Sequence, residues 1–139
     1  MGIISRKDGI EHVDTNILVR MITEDDPKLT KKAKKLFSHK EKLYVFEDSA
    51  MMELVYVLSG SIYNKNREQV AAGIKTAMLL PNLVCNKGLI EDSLDLYVAN
   101  PSLSYVDCYL AAVTNLSGEK PLWTFDHKLA LKCPVAKEL

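Results

Sequence analysis

A three-layer α/β/α sandwich around a mainly parallel sheet of about five strands is the fold class this sequence predicts, and three features predict it. Short apolar, β-branched runs alternate with longer stretches of helical period from residue 10 onward. Strands separated by a whole helix cannot return in a tight hairpin, so they pair in parallel through crossovers, with helices covering both faces of the sheet. At 139 residues, 47% of them hydrophobic and 26% charged, the chain can bury a core and is too apolar for whole-chain disorder. It reads as a single domain over residues 1–139.

The elements follow in order. Ile10–Val13 is the first strand, and Thr15–Thr23 is helical up to the break at Glu24-Asp25-Asp26-Pro27. Asp26 is an N-cap candidate with Pro27 in the first helical position. The helix it opens carries Leu29, Ala33, Leu36 and Phe37 on one stripe and lysines elsewhere. Leu43–Phe46 is the second strand, after which Asp48 or Ser49 caps a helix reaching about Gly60. Asn66 with Gln69 has the spacing of a capping box and opens a helix through Leu80, stopped by Pro81. Leu83–Cys85 is a short third strand. Leu89–Ala99 is helical until Asn100-Pro101, Ser104–Leu116 is the next helix, and Gly118 ends it. Leu122–Phe125 is the fourth strand, followed by a short helix near His127–Leu131 and an edge strand at Pro134–Ala136.

Composition narrows the function classes. Lys+Arg and Asp+Glu both number 18, so no global positive charge marks a general nucleic-acid binder. Charge is nevertheless uneven. Seven lysines crowd Lys28–Lys42, and no Lys or Arg falls between Lys87 and Lys120, where Glu91, Asp92, Asp95, Asp107 and Glu119 carry all the charge. The lysine-rich helix is a solvated face with the option of steering RNA, and Glu91–Asp95 reads as a solvated face. Cys85, Cys108 and Cys133 are odd in number and lack C-x-x-C spacing, which points away from zinc and disulfides toward a reducing compartment. No apolar leader opens the chain and no run approaches the roughly 20 residues of a membrane span, so a cytoplasmic location is expected.

Four acids interrupt apolar surroundings. Glu53 is the only charge in Met51–Leu58, a helix apolar almost all round and therefore expected to be buried. It lies four residues after Ser49, one too many for a capping box. Asp107 is the only charge from Tyr105 to Val113, although Ser104-x-x-Asp107 matches a capping box on its own. Asp14 and Asp126 follow strands directly, and each alone would be read as an N-cap. Together they say more. Helices leave parallel strands at one edge of a sheet, so Asp14, Glu53, Asp107 and Asp126 are expected to converge on one crevice beyond the strand ends. Two carboxylates about 4 Å apart repel by roughly 4 kcal/mol at an effective dielectric of 20, so four require a cation. All-oxygen donors suit Mg²⁺ or Mn²⁺. No other chemistry competes: His12, His39 and His127 lack metal-ligand spacing, and neither a Gly-rich phosphate loop nor a G-x-S-x-G elbow is present. Carboxylate-held divalent metal supports in-line hydrolysis of a phosphodiester without any of these.

The same residues resemble a known family. Val13-Asp14-Thr15-Asn16-Ile17-Leu18 resembles the opening motif of PIN domains, Glu53-Leu54-Val55-Tyr56-Val57-Leu58 their second acidic helix, Ser104-x-x-Asp107 with Ala111-Ala112 their third, and Thr124-Phe125-Asp126 their fourth. The likeness runs from about residue 10 to the end, leaving residues 1–9 as an N-terminal extension. Chain length and helix order look most like VapC-type toxins of toxin–antitoxin pairs. The resemblance implies a metal-dependent endoribonuclease, with Asp14 and Asp107 as principal metal ligands and Glu53 and Asp126 completing the cluster. It further implies that Asn16, Ser104 and Thr124 orient ligands or the scissile phosphate. RNA, often structured RNA such as tRNA, is the implied substrate; the implied partners are a second copy in a homodimer and a small antitoxin.

Two other classes compete. A phospho-acceptor signalling domain also gathers acids at strand ends, but leaves Glu53 unexplained. A catalytically silent PIN-like module that binds RNA or protein would not need all four acids. Among the remaining residues, Tyr56 is expected in the core or a dimer interface, Tyr63 has the option of stacking bases, and His127 is a surface residue within reach of a phosphate. Cys108 is a core thiol, and the apolar excess of Met51, Met52, Val55 and Leu58 favours a helix-mediated dimer.

Overall fold

The computed structural model describes residues 9–139, so the extension assigned to residues 1–9 lies, Gly9 apart, outside the described residues. Two compact units divide the chain, one ending at Cys85 and the other running from Asn86 to Leu139. Five strands and seven helices are described, and every strand pairing is parallel. The α/β class with parallel strands is the one the sequence predicts.

In the first unit β1 (Ile10–His12), β2 (Leu43–Val45) and β3 (Leu83–Val84) form a sheet in that order, with Ile10 opposite Leu43 and Tyr44 opposite Leu83. Gly9 belongs with the sheet: its carbonyl accepts from the Leu43 N–H at 2.7 Å. Four helices make the crossovers, α1 (Thr15–Thr23), α2 (Pro27–Phe37), α3 (Asp48–Ser59) and α4 (Arg67–Ala77). Local chemistry starts them as expected. Asp26 caps α2 by accepting from the Leu29 N–H at 3.0 Å, with Pro27 just inside. Asn66 and Gln69 complete their box in both directions, at 2.8 and 3.0 Å. For α3 the expectation fails, because Glu47 occupies the N-cap without a side-chain bond and Asp48 already lies in the first turn.

The core of this unit collects Leu18, Phe37, Tyr44, Leu54, Leu58 and Ile74. Phe37 and Tyr44 meet edge to face at 5.3 Å, and the Tyr44 hydroxyl donates to the Leu36 carbonyl at 3.2 Å. Gly73 lets α4 approach α1 closely, since a Cβ there would lie 2.9 Å from Ile22 Cγ2. Helix α4 ends three residues before Leu80. The Leu79 and Leu80 N–H groups turn back to the Thr76 and Ala77 carbonyls, a tighter turn that closes the helix ahead of Pro81.

In the second unit β4 (Leu122–Thr124) pairs with β5 (Ala136–Glu138), and α5 (Lys87–Ala99), α6 (Tyr105–Ser117) and α7 (His127–Lys132) complete it. Helices α5 and α6 are tied by the Ser93 and Tyr105 hydroxyls at 2.8 Å and by Tyr97 edge to face on Tyr105 at 5.8 Å. Cys108 is a core thiol, as expected. Gly118 ends α6 with φ +74°, the left-handed cap that a side chain rarely adopts. The last strand lies two residues later than Pro134–Ala136. Pro134 has no N–H to give a ladder, and the Ala136 N–H is spent on the Cys133 carbonyl.

A polar knot closes the end of α1. Asp25 accepts from Thr23 Oγ1 at 2.8 Å, Tyr63 OH at 2.8 Å and Arg20 Nη1 at 2.7 Å. These bonds favour the ionised carboxylate and hold its pKa at about 2, below the ordinary 3.8. Tyr63 thereby has its hydroxyl committed. Because the folded pKa is the lower one, the knot's stabilisation is full above pH 3.8 and is lost as pH falls toward 2. Melting temperature followed from pH 5 to 2 is therefore expected to fall more steeply for the wild type than for Asp25→Asn; parallel curves would contradict the assignment.

Candidate active site

Asp14 follows β1 by two residues and caps α1: its backbone is extended and Oδ1 accepts from the Asn16 N–H at 3.0 Å. Asp126 stands in the same relation to β4 and α7. Its Oδ1 accepts from the Lys128 and Leu129 N–H groups at 2.9 and 3.3 Å. Thr124 sets this turn, since its hydroxyl accepts from the Asp126 N–H at 2.9 Å. The capping reading of both aspartates is thus correct as far as it goes. It commits one oxygen of each carboxylate and leaves Oδ2 available.

Asp107 is half-buried in the first turn of α6. Ser104 Oγ accepts from the Asp107 N–H at 3.2 Å, the first half of the expected box. The second half is not made: the Asp107 carboxylate returns no bond to Ser104, so helix capping does not account for it. Its charge reaches Cys133, whose thiol pKa is raised first by burial and then by Asp107.

Glu53 departs from expectation. Met51, Leu54, Val55 and Leu58 form the buried stripe of α3, and Glu53 and Tyr56 lie on the opposite, exposed side. The helix is amphipathic at its own period and not apolar all round, because Tyr56 is 78% exposed and Met52 and Val57 are only partly covered. Tyr56 is accordingly not a core residue. Of the residues that favour a helix-mediated dimer, Met51, Val55 and Leu58 are buried inside the chain and Met52 stays partly exposed. The Glu53 carboxylate makes no hydrogen bond or ion pair among the described residues.

One residue escapes sequence reading. Thr15 is buried, and its hydroxyl donates to the Ala50 carbonyl at 3.3 Å. That bond ties the helix start capped by Asp14 to the turn of α3 preceding Glu53. The available signal is a hydroxyl at the head of an otherwise apolar stripe. Asn16 and Ser104 are exposed, and Thr124 is half-buried. His127 is a surface residue whose Nδ1 lies 2.8 Å from Glu138.

Asp14 and Glu53 belong to the first unit, and Asp107 and Asp126 to the second. Among the described residues, no three or more His, Cys, Asp or Glu side chains are gathered as a metal site. Taken singly, each of the four acids offers at least one carboxylate oxygen without a hydrogen-bond partner among the described residues, the donor type that a hard divalent cation takes.

The family model for the PIN domain matches residues 12–133, a span that holds all four acids. The chain belongs to the PIN-domain family. PIN domains are in general nucleases acting on RNA and typically use divalent metal ions. The fold class expected from the sequence is the PIN fold class. Comparison with curated proteins and with solved structures gives no match. No helix among the described residues is long and apolar enough to cross a membrane.

The cap that Asp14 makes in this PIN domain can be tested by stability alone. Asn caps a helix as well as Asp does, so Asp14→Asn is expected to melt at the wild-type temperature, while Asp14→Ala loses about 1 kcal/mol. Calorimetric melts of both variants check this; equal losses would show that the Asp14 cap contributes nothing.

Proposed function

We propose that this PIN domain is an Mg²⁺- or Mn²⁺-dependent endoribonuclease whose metal is held by Asp14, Asp107, Glu53 and Asp126. The supporting observation is that the family match spans four carboxylates placed after parallel strands or early in helices, two of which, Glu53 and Asp107, have no structural partner among the described residues. Of the two, half-buried Asp107 is partly withdrawn from water and gains most from a cation, while exposed Glu53 is solvated and joins the set on the family match. Asp14 and Asp107 serve as the principal ligands and Glu53 and Asp126 as directly bound or water-linked ones. The divalent metal supplies Lewis acidity for in-line attack of water on an RNA phosphodiester. Thr124 and Ser104 hold the helix starts on which Asp126 and Asp107 stand, and Thr15 does the same between α1 and α3. They are positioning residues; Asn16 orients ligand or phosphate next to Asp14.

Helix order supports a toxin of the VapC type, acting on tRNA or another structured RNA in the cytoplasm as a homodimer restrained by a small antitoxin. The exposed lysines of α2 suit RNA steering, although Lys34 of that helix and Lys42 beyond it are paired with Glu24 and Glu11 at 2.7 and 2.9 Å.

Incubation of total cellular RNA with the wild type is expected to give discrete fragments in Mg²⁺ or Mn²⁺ and none in chelator, and none under any condition with Asp14→Asn. Because water and not the 2′-hydroxyl attacks, the fragments carry no 2′,3′-cyclic phosphate. Cleavage that survives chelator, or cyclic ends, would overturn the metal-hydrolysis reading. Intact RNA with protein freed of bound inhibitor would favour a binding module.

A further inference from the structure

The second unit holds a cavity of about 480 Å³ that none of the four acids lines. Asp92, Asp95 and Leu96 of α5 contribute to it, as do Ala111, Ala112 and Asn115 of α6, and the turn from Cys133 to Val135 completes the lining. More of that lining is apolar than polar. Ala111, Ala112 and Cys133 are buried and make the apolar interior, whereas Asp92 and Asp95 are exposed and stand at the mouth. The two aspartates are three residues apart, hence neighbours on one helix face, and Leu96 and Ala99 continue that face. Glu91, which reads in sequence as part of the same solvated stretch, does not line the cavity. No Lys or Arg lies between Lys87 and Lys120, and none lines the cavity, so every charge on it is negative. Asp92 makes no hydrogen bond or ion pair among the described residues.

An apolar interior of this volume with a few polar groups at its rim has the proportions of a small-molecule site. The two carboxylates set the charge of the occupant. A hard metal ion takes oxygen ligands all round and gains nothing from alanine and leucine side chains. An anion is repelled, and a neutral apolar molecule leaves the acids without a partner. An aliphatic ammonium suits both halves. Its head carries N–H donors for charge-assisted bonds to the carboxylates, and its methylene body has the apolar interior to cover it. Asn115 adds an amide oxygen to the acceptors on the lining.

We propose that the α5–α6 cavity binds a small aliphatic amine, its ammonium held by Asp92 and Asp95 and its hydrocarbon body laid over Leu96, Ala111 and Ala112. The site calls for neither metal nor RNA, so it stands or falls independently of the nuclease reading.

Calorimetric titration of the full chain with n-pentylamine, in chelator, is expected to give saturable binding. Pentanoate gives none, and 1-pentanol binds more weakly than the amine. Shortening the amine toward ethylamine weakens binding about three- to fourfold for each methylene removed, the share of one buried CH₂. Asp92→Asn weakens pentylamine about 2- to 5-fold, the contribution of one exposed ion pair. With Asp92→Asn and Asp95→Asn combined, pentylamine binds no better than 1-pentanol. Ala99→Leu, at an exposed position on the lining, narrows the cavity and weakens pentylamine more than ethylamine. All three positions are exposed, and unchanged melts of the variants confirm intact folds. Equal affinity for ethylamine and pentylamine overturns the proposal, because it reduces the site to two surface charges. Wild-type affinity in the double variant overturns it as well. So does binding of an apolar, lysine-bearing peptide when no free amine binds, which makes the groove a protein interface.

Discussion

Parallel strand pairing is the constraint from which the rest follows. In each unit every strand lies parallel to its neighbour, so the chain cannot return by a tight turn and interposes a helix. Strand ends and helix starts then come together at the carboxyl edge of each sheet. A helix start exposes N–H groups that a short side-chain oxygen must satisfy, and aspartate does this well. Asp14 after β1 and Asp126 after β4 are solutions to that local problem. A carboxylate has two oxygens and the cap takes one. The fold thus provides acids with an unspent oxygen at sheet edges as a by-product of its own connectivity.

What distinguishes a nuclease from a capped α/β protein is therefore carried by the acids that the caps do not explain. Asp107 receives the favourable field of a helix N-terminus, yet makes no return bond to Ser104. Glu53 stands on the outer side of α3, with no ion pair among the described residues. The Thr15–Ala50 bond gives Glu53 and Asp14 a shared footing, since it joins the two helix starts that bear them.

Much of this was legible in the chain, and the illegible parts have physical causes. Helix starts made by a residue's own side chain, at Asp14, Asp26, Asn66 and Ser104, are readable because the chemistry is local in sequence. Boundaries made by backbone geometry, such as the tightened turn after Ala77 and the displaced last strand, carry no such mark. The exposure of Glu53 is illegible for a different reason. Met52, Tyr56 and Val57 count as apolar, but coverage depends on chain-distant neighbours, and only the stripe of Met51, Leu54, Val55 and Leu58 receives them. Asn82 shows the same limit: its amide reaches the Phe37 and His39 carbonyls across more than forty residues. The candidate acids stand out in sequence because isolated charge among apolar residues is a local signal, and Thr15 does not because a single hydroxyl is no such signal.

The claim on which this account rests is the proposal that these four carboxylates hold divalent metal. Isothermal titration of Mn²⁺ into the wild type and into Asp14→Asn, Glu53→Gln, Asp107→Asn and Asp126→Asn tests it without reference to any RNA. The account predicts saturable binding by the wild type, lost or weakened at least about tenfold, roughly 1.4 kcal/mol, in Asp14→Asn and Asp107→Asn, with smaller losses in the other two. Wild-type affinity in both Asp14→Asn and Asp107→Asn would contradict it, and the acids would then be caps and surface charges only.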